Sequence, residues 1–162
     1  MAGICLTIIL AVAAGDLGLK RYIEKHMKEN ESRRILGGKG ILRRTHNRGM
    51  MMNRMEKYPV FVRLSSAAAS VAILIWQSAI WRLPGQAAKK VGLALITGGA
   101  VSNTYDRFKR RYVVDYFSFS SKNKKLERIA FNFGDFAVFA GCLLVALQEA
   151  YTVGKELLRR WM

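Results

Sequence analysis

Four apolar blocks, at 2–19, 60–83, 91–104 and 136–153, constrain this 162-residue chain more than any other feature. A bilayer core about 30 Å thick takes about 20 apolar residues per helix, with about 17 to 25 tolerated. The second and fourth blocks meet that length. The third reaches it when it begins near Gln86, with Lys89 and Lys90 snorkelling back to the headgroups. The pattern predicts an all-α membrane protein with four transmembrane helices, at about 2–19, 60–83, 86–104 and 136–153, in a single integral membrane domain of 1–162. Extramembrane loops fall at about 20–59 and 105–135.

The first block admits a second reading as a cleavable signal peptide, because Ala11-Val12-Ala13-Ala14 resembles a small-residue cleavage site. No Lys or Arg precedes Ile4, so the basic leader region is missing and a retained helix is expected. Cys5 and Cys142 lie inside predicted helices without disulfide or metal spacing and read as small core hydrophobes.

Charge locates the polar parts. The net charge of +16 is concentrated: residues 20–63 hold 13 Lys and Arg against 4 Glu, and residues 106–128 hold 8 against Asp106, Asp115 and Glu127. If the helices alternate in direction, both stretches emerge on one side and make a strongly basic face. Such a face attracts anionic lipid headgroups at roughly 1 kcal/mol per cation. Neither stretch interleaves aromatics with its cations as a stacking platform for bases would, so nucleic acid is not an expected partner.

In the first loop, residues 22–31 read as a polar, helical extension of the first helix, broken by Gly37-Gly38-Lys39-Gly40. Residues 41–55 read either as a small β-cradle or as an amphipathic segment on the membrane, with Met50, Met51, Met52 and Met55 as an adaptable apolar surface.

Two carboxylates stand where they are expensive to place: Asp115 in Val113-Val114-Asp115-Tyr116, and Asp135 in Phe131-Asn132-Phe133-Gly134-Asp135, each at the mouth of an apolar segment. Asn103 and Arg107 are four apart and share a helical face, Asp106 is placed to pair with a nearby cation, and Asn132 and Asp135 share a face at the head of the fourth helix. If the third and fourth helices pack together, Asp115 and Asp135 meet at the membrane surface. Close carboxylates do not both ionise cheaply, so the pair holds one proton near neutral pH. One aspartate then acts as base on a water and the other, protonated, polarises a carbonyl. No metal, activated serine or cofactor is required. On spacing alone a plainer reading stands level with this one: Asp135 caps its helix and Asp115 pairs with Arg110 or Arg111.

The runs Gly98-Gly99-Ala100-Val101-Ser102-Asn103-Thr104-Tyr105-Asp106-Arg107, Val113-Val114-Asp115-Tyr116 and Phe131-Asn132-Phe133-Gly134-Asp135 resemble the conserved blocks of signal peptidase II, the prolipoprotein signal peptidase. Asp16 and Lys20 resemble that family's first-helix pair, and His46-Asn47-Arg48-Gly49 its asparagine-glycine block. The resemblance implies an intramembrane aspartic endopeptidase of the bacterial cytoplasmic (inner) membrane that cuts lipoprotein precursors before a diacylglyceryl-modified cysteine. It implies Asp115 and Asp135 as the dyad, with Asn103, Arg107 and Asn132 supporting the dyad and the substrate backbone. Asn47 and Gly49 would belong to a substrate-facing loop, Asp16 and Lys20 would be structural or substrate-positioning, and globomycin-type inhibitors would straddle the dyad. The alternative is a silent or differently specialised homologue that binds membrane partners or cleaves another substrate.

Ser102, Gly134 and Leu19 depart from the family's usual glycine, alanine and Ser or Thr, and the run from Arg48 to Met52 replaces one rich in small residues and phenylalanine. The family plan places both termini in the cytoplasm and the dyad near the outer face. The positive-inside tendency would place this chain's basic loops inside instead.

Overall fold

The computed structural model describes residues 1–29, 31–50 and 53–161. Five helices and three strands follow one another: α1 (Ala2–His26), β1 (Ser32–Ile35), a 3-10 turn (Leu36–Gly38), β2 (Gly40–Asn47), α2 (Pro59–Trp81), α3 (Ala87–Lys109), β3 (Val113–Phe119), α4 (Lys124–Glu127) and α5 (Phe133–Trp161). The molecule is therefore mostly helical rather than all-α. The sheet foreseen in the first loop forms, and its third strand comes from the 105–135 stretch that the sequence reading left as loop.

Three helices, α1, α2 and α5, are long and apolar enough to cross a membrane; α3 is not, so the expected set of four is met for three on this criterion. The reason lies in where α3 sits. It packs against α1, α2 and α5, and Leu93, Ala94, Thr97 and Ser102 are at most 1% exposed. A helix screened by its neighbours need not be apolar all round, and α3 carries Lys89, Lys90, Asp106 and Arg107. Around it the usual soluble pattern is inverted. Leu10, Leu64, Ile75 and Leu143 are each at least 57% exposed, whereas Asp16, Lys20, Asp106 and Asn132 are wholly buried. An apolar exterior around a polar interior suits lipid as solvent.

Small residues set the helix spacing. A Cβ on Gly92 would stand 2.7 Å from the Gly141 carbonyl oxygen of α5, and one on Gly98 would stand 2.7 Å from Val12 Cβ of α1. Both contacts allow backbones to approach closely where the hydrophobic effect does not drive association. Pro59 at the start of α2 supplies the fixed φ that suits a first helical position.

The sheet has the order β1-β2-β3 and is antiparallel throughout. Asn47 stands opposite Val113 and Thr45 opposite Asp115, but Leu42 opposite Phe117, so the β2–β3 ladder slips by one residue between Leu42 and Thr45. Such a bulge re-aims side chains. The sheet rests on the last turns of α1 through Ile23, Met27, Val114 and Tyr116. Burying side chains such as Ile23 and Val114 contributes about 1.5–3 kcal/mol each. Of the expected methionine surface, Met55 is 43% exposed, and Met51 and Met52 lie outside the described residues.

Candidate active site

Backbone pairing brings the two aspartates to one place. Phe131 N donates to the Phe117 carbonyl at 2.7 Å, and the Phe131 carbonyl accepts from Phe117 N at 2.8 Å and from Tyr116 N at 2.9 Å. The chain entering α5 is thereby pinned along β3, one residue before Asn132 and directly beside Asp115.

The head of α5 is a reciprocal cap. Asn132 Oδ1 accepts from Asp135 N at 2.9 Å, and Asp135 Oδ2 accepts from Asn132 N at 3.0 Å. Two backbone donors that α5 would leave orphaned are satisfied in this way. Capping uses only one Asp135 oxygen; Oδ1 accepts from Asn103 Nδ2 of α3 at 3.0 Å. The capping alternative is correct as far as it goes and does not exclude a second role.

Asp115 is held by two amides: Oδ1 accepts from Asn132 Nδ2 at 2.8 Å, and Oδ2 from Asn47 Nδ2 at 3.1 Å. It makes no ion pair among the described residues. Of the two partners offered by the plainer reading, Arg110 lies instead 3.4 Å from Asp106 and 3.9 Å from Glu24, and Arg111 makes no ion pair among the described residues. Asp115 is 5% exposed. Burial, and then the charge of neighbouring Asp135, push its carboxyl up to about 7, against the opposing hydrogen bonds from Asn47 and Asn132.

Each of the three asparagines has its amide orientation fixed by what its oxygen accepts. Asn47 Oδ1 accepts from Gly49 N at 3.1 Å, Asn132 Oδ1 from Asp135 N, and Asn103 Oδ1 from Lys20 Nζ at 2.7 Å and Asn132 Nδ2 at 3.2 Å. Lys20 thus orients Asn103, and through it the donor that reaches Asp135.

Lys20 itself is wholly buried among Asp16 Oδ2 at 2.6 Å, Asp106 Oδ2 at 3.2 Å and Ser102 Oγ at 3.2 Å. Buried charges persist only when compensated in this way. Ser102 Oγ also donates to Asp16 Oδ2 at 2.5 Å. Tyr116 OH donates to Asp16 Oδ1 at 3.4 Å and accepts from Phe133 N at 2.8 Å. Burial and the Asp16 charge raise the Tyr116 phenol, which stays protonated as that donation requires.

Arg107 reaches across to the first loop, donating to the Gly49 carbonyl at 3.2 Å and to the Asn103 carbonyl at 3.5 Å. Asn53 Oδ1 folds that loop by accepting from Arg48 N at 2.7 Å and Gly49 N at 3.1 Å. No side chain fits at Gly49, where a Cβ would lie 2.6 Å from the Asn53 carbonyl carbon.

All ten residues singled out in the sequence, Asp16, Lys20, Asn47, Gly49, Asn103, Asp106, Arg107, Asp115, Asn132 and Asp135, join this one network. Sequence reasoning did not give Asn53, Tyr116 or Ser102 their parts in it. A half-buried cluster was also missed: Glu24 accepts from His46 at 2.8 Å and from Tyr112 OH at 3.2 Å and meets Arg44 at 3.4 Å. A cavity of about 250 Å³ opens onto Asp115, lined by Thr45, His46, Asn47 and Ile129 among others. Among the described residues no three His, Cys, Asp or Glu side chains form a metal-ligand set. The arrangement offers a buried carboxylate on Asp115 and a half-buried one on Asp135, held by side-chain amides beside a cleft.

Comparison with known proteins agrees with this plan. The family model described as signal peptidase (SPase) II matches residues 8–151. The lipoprotein signal peptidase of Moorella thermoacetica (strain ATCC 39073 / JCM 9320) is 30% identical over 154 residues, 93% of this chain and 95% of that protein. The lipoprotein signal peptidase of Lactiplantibacillus plantarum (strain ATCC BAA-793 / NCIMB 8826 / WCFS1) is 28% identical over 144 residues, 89% and 92% of the two chains. A solved structure described as a bacterial membrane enzyme shares the fold, with a TM-score of 0.81 at 19% identity, covering 94% of this chain and 91% of that one. The three helices long and apolar enough to cross a membrane mark the molecule as an integral membrane protein. By the match of its sequence over most of its length, the chain belongs to the signal peptidase II family.

Proposed function

We propose that the protein is an aspartic endopeptidase that removes the signal peptide from bacterial prolipoproteins, cutting before a diacylglyceryl-modified cysteine. The observation that carries this reading is the shared clamp on Asp115 and Asp135, in which Asn132 touches both carboxylates. Family membership supplies the peptidase class.

In this mechanism Asp115 holds the dyad's proton near neutral pH, consistent with its raised pKa. Asp135 takes a proton from a water, whose oxygen attacks the scissile carbonyl carbon while Asp115 donates its proton to the carbonyl oxygen. Collapse of the tetrahedral diol then breaks the C–N bond. The proton gained by Asp135 passes to the departing amine, and a diol proton returns to Asp115. Asn47, Asn103 and Asn132 fix the carboxylates beforehand, so little reorganisation accompanies the charge movement. Globomycin-type inhibitors would occupy the same place by straddling the dyad.

The whole chain acts as one integral membrane domain of the cytoplasmic membrane, with α3 as a fourth crossing screened from lipid by its neighbours. Both termini lie in the cytoplasm and the dyad near the outer face, where the basic loops attract anionic lipid. A C-terminal reporter silent outside the cell is expected; a clear external signal would overturn this orientation.

Incubating the purified protein with a diacylglyceryl-modified prolipoprotein and weighing the products tests the activity. A cut on the N-terminal side of the lipidated cysteine is expected. A folded protein that cuts nothing, or cuts elsewhere, would leave only a binding homologue.

A further inference from the structure

Beside the dyad, on the other side of Arg107, four arginines line one pocket. Arg48 of the first loop, Arg63 near the start of α2, Arg107 of α3 and Arg111 just beyond it enclose about 270 Å³ together with Pro59 and Val62. None of the four forms an ion pair among the described residues. Arg107 Nε is buried with no hydrogen-bond partner. Of the four, Arg107 feels the charges of Asp115, Asp135 and Asp106; four guanidinium groups with no carboxylate in ion-pair contact repel one another and leave that buried donor unmet, a cost that a bound anion removes.

Position narrows the kind of anion. Pro59 begins a helix apolar enough to span the membrane, so the pocket stands at the membrane boundary. Phe61 and Leu64, on the same first turns, are 51% and 61% exposed and offer an apolar path away from the pocket. A tetrahedral oxyanion suits the guanidinium forks, and an attached pair of acyl chains suits the helix face.

We propose that this pocket binds the phosphodiester headgroup of an anionic phospholipid, with its acyl chains lying along α2. The site is distinct from the cleft on Asp115 and needs no turnover. Through Arg107, which holds the Gly49 carbonyl, an occupying lipid steadies the loop that carries Asn47 and Gly49 toward the dyad.

The test is native mass spectrometry of the detergent-purified full chain with dioctanoyl phosphatidylglycerol, dioctanoyl phosphatidylcholine and inorganic phosphate. Phosphatidylglycerol is expected to bind more tightly than either of the others. Arg63→Gln with Arg111→Gln is expected to weaken it about tenfold or more, while Arg34→Gln with Lys39→Gln, an equal charge change on exposed residues of the first loop, leaves it unchanged. Arg48→Gln, in an exposed loop position, supplies the same readout should the double variant fail to fold. Equal binding of phosphatidylcholine, or equal loss in the Arg34 and Lys39 variant, would overturn the site. Inorganic phosphate binding as tightly as the lipid would overturn the lipid assignment. Because the readout is binding, it stands or falls separately from cleavage.

Discussion

Asn132 Nδ2 donates to Asp115 Oδ1 at 2.8 Å while the backbone N–H of the same residue donates to Asp135 Oδ2 at 3.0 Å. One residue therefore sets the position of one aspartate against the other. Replacing it separates two roles. Asn132→Ala is expected to lose the cap, about 1 kcal/mol of stability, as well as the amide bridge. Asn132→Ser keeps a capping oxygen, so its melting temperature should lie near wild type while cleavage stays depressed by about a hundredfold. If Asn132→Ser cuts at the wild-type rate, the amide bridge is not part of the mechanism.

The raised Asp115 carboxyl gives stability a definite pH dependence. Its folded-state pKa of about 7 lies above the reference 3.8, so between those values the folded protein binds more protons than the unfolded chain. Stability from this group is then full below about pH 4, falls as pH rises toward 7, and is flat above. Three units correspond to about 4 kcal/mol across that window. Thermal melts from pH 4 to pH 8 should show this decline, and Asp115→Asn should flatten it. The same proton is needed for cleavage, so kcat/KM should fall above about pH 7.

Lys20 is compensated by two carboxylates, so removing it alone strands both. Lys20→Met is expected to cost about 3–5 kcal/mol. Adding Asp16→Asn and Asp106→Asn should recover much of that loss, because the buried charges leave together. Activity should not return with stability, since Asn103 Oδ1 has lost the donor that orients it. Comparing melting temperature with kcat in the single and triple variants checks both parts.

The closeness of α3 and α5 rests on small residues. Gly92→Ala places a Cβ 2.7 Å from a backbone oxygen that cannot turn aside. Overpacking of this sort costs about 1–3 kcal/mol. A control at Gly18, where nothing lies within 4 Å of a Cβ, should leave the melting temperature unchanged or raised.

Much of the site was legible in the sequence because burying charge demands a reason. Asp115 and Asp135 stand out against apolar surroundings, helical spacing grouped Asn103 with Arg107, and the family resemblance marked Asp16, Lys20, Asn47 and Gly49. What sequence did not reveal comes from contacts between distant segments. β3 pairs with residues about 70 positions earlier, and Val113-Val114-Asp115-Tyr116, buried on both faces, shows no alternation to mark a strand. Hydropathy offered α3 as a fourth crossing but could not show that it packs against α1, α2 and α5. Asn53 acts through its side chain on the loop backbone, and no periodicity signals that. Glu24 read as one charge in a basic loop, although His46, Tyr112 and Arg44 converge on it.

The central claim is that Asp115 and Asp135 act as one proton-sharing pair, and the most direct measurement is cleavage of a diacylglyceryl-modified prolipoprotein by wild type, Asp115→Asn and Asp135→Asn. Both variants should fold, with melting temperatures at or above wild type for Asp115→Asn, and each should lose at least about a hundredfold in kcat. A folded Asp115→Asn or Asp135→Asn protein that cleaves at the wild-type rate would contradict the account.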